Sequence, residues 1–501
     1  MEELYTLLPS LALAGASLVI TYLVLSRAAT VRHLHHIPGP TWASWTPLWL
    51  VRRHLRGRVS RDLAEISKQY GPISRIAPNM VLVSDPFEIR RVWQVRGPWY
   101  RSRWYDMFHF DQPVQTVLSL RDNAAHGALR AKLVPGYSGR DVDNLHSVVD
   151  RRIADFVDLI ERKYLSTEGD YRPMDLAEKA EFMTLDVISD MAIGHCFGCL
   201  QEDRDTFGQI DFVTGSLPLL VVMAVVPGSL VLLRNPIARA FLPKDKIEGA
   251  LRMQGLAKKN AAARYGPDKI VARDMLGSFV AQGLPYDNAW LETFGQIGAG
   301  TDTTATAIRM TMFYLMSSPE SYGKLQNELD SAIESGRVSS PITESEAKQL
   351  PYLQAVIKEG MRTWPPVMGL MPKVCDTEQI VCGKRIPPGT DVCWDAITIM
   401  RNREIFGEDA ECFRPDRWID EKDPDRRKIM EQIQGLCFAT SSRWECLGKS
   451  IALLELDKVF VELLRRFDFS LVNPMTPFST YDVSIAIQSD MWVRVQKRHN
   501  K

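Results

Sequence analysis

The chain has 501 residues, and its 61 Lys and Arg are balanced by 61 Asp and Glu; at about 150 residues per domain this length suggests roughly three domains or one large catalytic unit. Apolar residues at 45% and charged residues at 24% are the balance of a folded protein and exclude a disordered scaffold. Zero net charge argues against nucleic acid as the main partner, and eight cysteines are too sparse for a disulfide framework, which points to a reducing compartment.

Leu4 to Ser26 carries no charged residue and is mostly Leu, Ala, Val and Ile. As a helix it spans roughly 33 Å, about the thickness of a bilayer's hydrocarbon core. Glu2 and Glu3 precede it, while Arg27, Arg32, His33, His35 and His36 follow, so the positive-inside rule puts the rest of the chain in the cytosol. A cleaved signal peptide is the competing reading, but it calls for a basic start and a shorter apolar stretch. Residues 1–36 are therefore expected to be a membrane anchor with a basic linker. Ile37-Pro38-Gly39-Pro40 reads as a stiff hinge, with residues 37–501 as the body.

Ile73 to Ser84 is β-branched and partly alternating, as in a hairpin. From Asp85 to about Met371 the apolar spacing is helical, most clearly over Asp141–Leu165, Pro173–Met191, Asp287–Ser317 and Leu350–Thr363. Within that stretch the apolar run Leu217 to Leu233 is broken by Pro218, Pro227 and Gly228, so it is expected as a buried or membrane-touching helix pair, not a second span. Gly383 to Asp391 has the turn residues of a hairpin, a helix is expected from Cys446 to Phe467, and strands from Phe469 to Val495 around Asn473 and Pro474. The predicted class is mainly α with small β-sheets, tethered by a single N-terminal transmembrane helix.

Cys446 lies at a loop-to-helix junction, where unpaired amides and the helix dipole favour a thiolate. Arg443 adds positive charge nearby, and Gly448 allows backbone to approach a flat partner. The three together suit an axial ligand to haem iron with Arg443 near a propionate; a buried structural cysteine is the alternative. Ala299-Gly300-Thr301-Asp302-Thr303-Thr304 puts poor helix formers in mid-helix. A helix over haem needs a small residue, Gly300, where O₂ binds, and an acid and a hydroxyl, Asp302 and Thr303, beside it. The alternative is a packing face rich in small residues. Glu359 and Arg362 are three apart on one helical face, which permits an ion pair, and His126 and Arg130 are four apart on another. A solvated charged face is the competing reading for the latter pair. Cys196 and Cys199 lack the second ligand pair a zinc site requires. No Gly-rich loop after a strand offers a dinucleotide site, so reducing electrons must come from a separate protein.

The segment Phe438-Ala-Thr-Ser-Ser-Arg443-Trp-Glu-Cys446-Leu-Gly448-Lys449 resembles the haem-binding loop of the cytochrome P450 family, and the resemblance covers almost the whole chain. The basic residue three before the cysteine and the CLGK after it are similar to fungal membrane-bound members of the pisatin demethylase type. The family normally has Phe seven and Gly four residues before the cysteine, where this chain has Ala439 and Ser442. The resemblance implies the P450 fold and haem b (iron protoporphyrin IX) with Cys446 as axial ligand. His126, Arg130, Lys373 and Arg443 would bind propionates, Lys373 standing where many relatives have Arg. Asp302 and Thr303 would relay protons, with local widening of the helix at Gly300. Arg417, in Phe413-Arg414-Pro415-Asp416-Arg417-Trp418, would complete a structural Glu359–Arg362–Arg417 network.

It further implies a monooxygenase in the endoplasmic reticulum membrane, taking electrons from NADPH through NADPH-cytochrome P450 reductase, with cytochrome b5 as a further candidate donor. An apolar small molecule arriving through membrane lipid, from fungal secondary metabolism, would be the substrate. Trp104 to Phe110, Gln296, Val367 to Leu370 and Thr480 to Val483 would line its pocket. Two alternatives remain at this stage: the same haem used for dehydration, rearrangement or oxidative coupling, and a membrane-tethered helical adaptor with no cofactor.

Overall fold

The computed structural model describes residues 32–109, 114–229 and 244–498. Its frame is helical. The helices that position the site are α1 (Asn123–Tyr137), α2 (Leu145–Leu159), α3 (Leu176–Ile193), α4 (Gln209–Val225), α5 (Lys244–Ala262), α6 (Tyr286–Met316), α7 (Pro351–Thr363) and α8 (Lys449–Leu464). Local chemistry sets their ends. Asp175 caps α3 by accepting from the Ala177 amide, and Gly194 ends it with φ 81°, the left-handed geometry glycine adopts freely. Pro351 occupies the first position of α7, where its missing N–H costs nothing. The predicted Asp141–Leu165 helix starts later, at Leu145, and passes at Ile160 into a π turn that ends at Tyr164.

α6 runs 31 residues through the body. Its most extensive packing is against α3, and it also touches α7 and α8. Almost every side chain of α3 is buried, because this helix is covered on all sides. One apolar core joins these helices to α2 and to the sheets.

The main sheet has the order β1 (Ile73–Ala77), β2 (Met80–Val83), β8 (Asp391–Trp394), β5 (Lys373–Val374) and β3 (Tyr100–Arg101). The predicted hairpin at 73–84 is the antiparallel pair β1–β2. The expected hairpin at Gly383–Asp391 is displaced: β6 (Gln379–Val381) pairs with β7 (Lys384–Ile386) around Cys382 and Gly383, which have φ 48° and 69°. Pro387 to Thr390 instead connects two different sheets, since β8 pairs with β2 and β5. β4 (Met174–Asp175), β12 (Trp492–Lys497) and β9 (Phe467–Leu471) form a third sheet, and β10 (Ser479–Asp482) and β11 (Ala486–Ser489) a hairpin.

The hinge lies against β1: the Arg75 amide donates to the Pro38 carbonyl at 2.7 Å, and a Cβ on Gly39 would stand 2.3 Å from the Arg75 carbonyl oxygen. Packing on the body begins upstream of it, with Leu34 buried and His36 Nε2 donating to the Arg385 carbonyl at 2.7 Å. The predicted membrane anchor, Leu4 to Ser26, lies outside the described residues, as do Phe110 and the part of the 217–233 run from residue 230 onward. Among the described residues no helix is long and apolar enough to cross a membrane.

Candidate active site

Cys446 is delivered by a chain reversal just ahead of α8. Ala439 and Ser441 take φ 49° and 63°, and the Cys446 amide then donates to the Phe438 carbonyl at 2.8 Å. Lys449 Nζ closes the loop on Thr440 Oγ1 at 3.0 Å and Glu445 Oε1 at 3.1 Å. Burial pushes the Cys446 thiol up, while the amides of Gly448 and Lys449 and the charge of Arg130 act to lower it. Cys446 nevertheless keeps exposed surface. A sulfur that is desolvated by surrounding protein and yet uncovered faces an internal void.

α6 presents a similar face. Ala299 is exposed and Thr303 partly exposed in the middle of a buried helix; four residues apart, they share one side. The Thr303 hydroxyl donates to the Ala299 carbonyl at 2.9 Å, and that of Thr301 to the Ile297 carbonyl at 2.7 Å. These back-bonds suit Thr to mid-helix, and α6 continues as an unbroken α-helix, without the widening expected at Gly300. Gly300 itself is turned away from the void: a Cβ there would meet Ile188 Cγ1 of α3 at 2.9 Å. Its smallness serves the α3–α6 contact, and Ala299 is the small residue on the open side. Asp302 lies on the other flank and hydrogen-bonds Glu181 of α3.

The predicted cations converge. His126 is buried with Nδ1 unpartnered; burial, then Arg101, Arg130, Arg443 and Lys373, push its pKa down to about 3. Arg130 Nη1 donates to the Glu445 carbonyl at 2.5 Å, tying α1 to the cysteine loop. Arg443 donates to the Val95 carbonyl and keeps Nε unpaired. Lys373 Nζ donates to Tyr105 Oη at 2.9 Å and the Met371 carbonyl at 2.8 Å. It also lies 5.1, 5.0 and 4.8 Å from the ring centroids of Trp93, Tyr105 and Trp444. Burial and then Arg101 hold its pKa well below the ordinary lysine value.

This set is short of negative charge. The acids that reach it are Glu292, toward Arg101, and Glu445, toward Arg130, and burial raises Glu292 to about 8. Buried charges require partners, and Trp93 Nε1, Trp444 Nε1 and Arg101 Nε are further buried donors without one. A flat group carrying two carboxylates and a metal open to a thiolate fits these residues, and haem is such a group.

Below this region Glu359 and Arg362 are fully buried and paired at 2.8 Å. Arg417 Nε donates to Glu359 Oε1 at 2.9 Å, Trp418 Nε1 to Oε2 at 2.9 Å and the Arg414 amide to Oε1 at 2.8 Å. Arg362 spends its remaining donors on the carbonyls of Met400, Ala410 and Cys412. The three residues predicted to form a network meet.

Of the expected pocket residues, Trp104, Tyr105, Phe108, Leu370 and Val483 join Leu217 and Val221 of α4 in one apolar cluster. Gln296 is buried with both amide atoms unpartnered, and Val367 bridges Ile485. Sequence reasoning missed Arg101, Glu292, Glu181 and Arg309. Arg309, a lone cation in the apolar stretch ATAIRMTMFYLM, was a readable signal of buried polar function.

A family model described as Cytochrome P450 matches residues 37–490. Cytochrome P450 monooxygenase ABA1 of Pyricularia oryzae is 38% identical over 499 residues, covering 97% of this chain and 97% of that protein. Cytochrome P450 monooxygenase aba1 of Botryotinia fuckeliana is 35% identical over 469 residues, 92% of each. Cytochrome P450 monooxygenase gsfF of Penicillium aethiopicum is 30% identical over 506 residues, 97% of this chain and 98% of that protein.

Proposed function

The chain belongs to the cytochrome P450 family, and from that premise we propose that it inserts one oxygen atom of O₂ into an apolar small molecule, an intermediate of fungal secondary metabolism. The observation that carries this reading is Cys446, desolvated by surrounding protein yet still exposed, near the Gly448 and Lys449 amides and beside a cluster of basic residues short of anions. Haem b, once bound, supplies the iron at which O₂ is activated.

The protein's own residues then have separable tasks. Cys446 would hold the haem iron. His126, Arg130, Lys373 and Arg443 would hold and orient the propionates, with Arg101 added to the set. Thr303, on the open side of α6, hydrogen-bonds on the void side, and Asp302 supplies protons from the flank. Glu359, Arg362 and Arg417 hold the wall behind the cysteine loop. The apolar cluster of Trp104, Leu217, Val221, Leu370 and Val483 excludes water and favours an apolar substrate.

The family implies a reductase partner; we infer NADPH-cytochrome P450 reductase, with cytochrome b5 as a second donor. A single span at residues 4–26 would anchor the chain in the endoplasmic reticulum membrane with its body cytosolic. Support for contact with lipid comes from Trp42, Trp45, Leu48 and Leu55, which are 76%, 53%, 64% and 62% exposed beside Arg52, Arg53 and Arg56; aromatic and basic residues together suit a bilayer interface. The test is a metabolite screen on the purified haem-loaded protein, read as a change in iron spin state, followed by turnover with reductase under ¹⁸O₂. One ¹⁸O atom in the product is expected. Turnover that continues without O₂ or reductase overturns the proposal.

A further inference from the structure

Two carboxyl groups meet in the interior where α3 crosses α6. Glu181 of α3 is buried, and its side chain hydrogen-bonds that of Asp302 on α6. Such a bond requires a proton on one of the two groups, because carboxylates offer acceptors only. The count of charges agrees. The cation that acts on both acids is Arg309, with Nη1 at 3.4 Å from Glu181 Oε1. Its guanidinium is shared with the Ala177 and Gln488 carbonyls and the Thr306 hydroxyl. Two buried carboxylates beside one shared cation would leave an unpaired buried charge, which is costly.

The proton belongs mainly to Glu181. Burial raises both acids; for Asp302 the hydrogen bond from Glu181 and the charge of Arg309 act to lower it. For Glu181 burial is likewise the largest effect, Arg309 lowers and Asp302 raises, and the outcome is well above the ordinary glutamate value.

The crossing is rigid. Along α3, Glu181, Thr184 and Ile188 face Asp302, Thr301 and Gly300 in turn. The Thr184 hydroxyl donates to the Thr301 carbonyl at 3.0 Å, and Ile188 closes on Gly300. This stripe holds Glu181 in register behind Asp302, away from Thr303, which lies on the open side.

We propose that Glu181 is the proton store of this enzyme: a positioning residue on a neighbouring helix that hands its proton across the α3–α6 crossing to Asp302. The inference rests on the reading of the chain as a haem monooxygenase that draws protons through Asp302. The proton of Glu181 moves to the Asp302 carboxylate, that proton then leaves Asp302 toward the void, and solvent water later restores Glu181. No electrons move in this step.

The full-length haem-loaded protein carries the test. Beside the bands of other buried acids such as Glu292, the infrared spectrum of the wild type is expected to hold one carbonyl stretch, identified by its shift in D₂O, that belongs to protonated Glu181. It should be lost in Glu181→Gln and displaced in Glu181→Asp. With a metabolite that shifts the spin state, product formed per NADPH consumed should fall about tenfold in Glu181→Gln with KM unchanged, and Glu181→Asp should recover most of it. Superimposable infrared spectra of wild type and Glu181→Gln overturn the proposal, as does unchanged coupling. If Glu181→Gln does not accumulate, an undisplaced band in Glu181→Asp overturns it. The thiolate spectrum of the reduced carbon monoxide complex is recorded on the same samples. Its absence in the wild type refutes the haem reading, whereas its presence with an unaltered carboxyl band refutes only the role of Glu181.

Discussion

Gly300 and Ile188 are in contact across the α3–α6 crossing so closely that a Cβ on the glycine would stand 2.9 Å from Ile188 Cγ1. The atom it would meet is near the base of a β-branched side chain with little freedom to withdraw. Gly300→Ala gains up to about 1 kcal/mol of helix propensity and loses about 1–3 kcal/mol to overpacking. We expect net destabilisation of about 1 kcal/mol, measured by urea unfolding, and relief of the overpacking by Ile188→Ala in a double-mutant cycle. Additive effects in that cycle would show that Gly300 is small for another reason.

Cys446→Ser tests the ligand. The substituted protein should lose the thiolate spectrum of its reduced carbon monoxide complex, because serine offers the iron no sulfur. Retention of that spectrum would mean that another sulfur holds the iron.

Glu359→Gln tests the buried network. Arg362 and Arg417 both spend donors on this carboxylate at 2.8 and 2.9 Å, and removing its charge strands the buried Arg362 guanidinium and leaves Arg417 with Asp409 as its remaining carboxylate. Breaking such a pair costs about 3–5 kcal/mol. The expected result is a lowered urea midpoint together with loss of haem during purification; a midpoint within error of wild type refutes the structural role.

His54 supplies a pH dependence far from the cysteine. It is buried, its Nδ1 donates to the Leu50 carbonyl at 2.9 Å, and burial lowers its pKa from 6.5 to about 4. In that window the unfolded chain binds the proton and the folded chain does not, so stability rises with pH. The contribution is complete above pH 6.5 and is lost as pH falls toward 4, by about 3 kcal/mol at the limit. Urea unfolding at pH 7.5 and 5 should show a smaller pH difference in His54→Gln than in the wild type, and equal differences would exclude His54 as the source.

Much of the site was legible in the chain because its chemistry is local. A thiol ahead of a helix start, an acid and a hydroxyl in mid-helix, and Glu359 three residues before Arg362 are read from neighbours within a turn or a loop. Backbone dihedrals and side-chain periodicity depend on those same neighbours. Helix type and order followed from the same short range, and the boundaries shifted by a few residues, at Asp175 because its side chain caps the helix start.

What the folded chain alone decided are the pairings between distant segments. Gly300 read as an opening for O₂, but the helical rotation puts Ala299 on the open side and Gly300 against Ile188. Arg101 had no motif around it, and it joins the other cations only because β3 pairs with β5. Glu181 was one more acid on an amphipathic pattern until α3 crossed α6 at Asp302. Neighbours within a few residues specify how a segment coils; which face it shows to which other segment is settled by burying the whole core at once, and no short window of residues contains that sum.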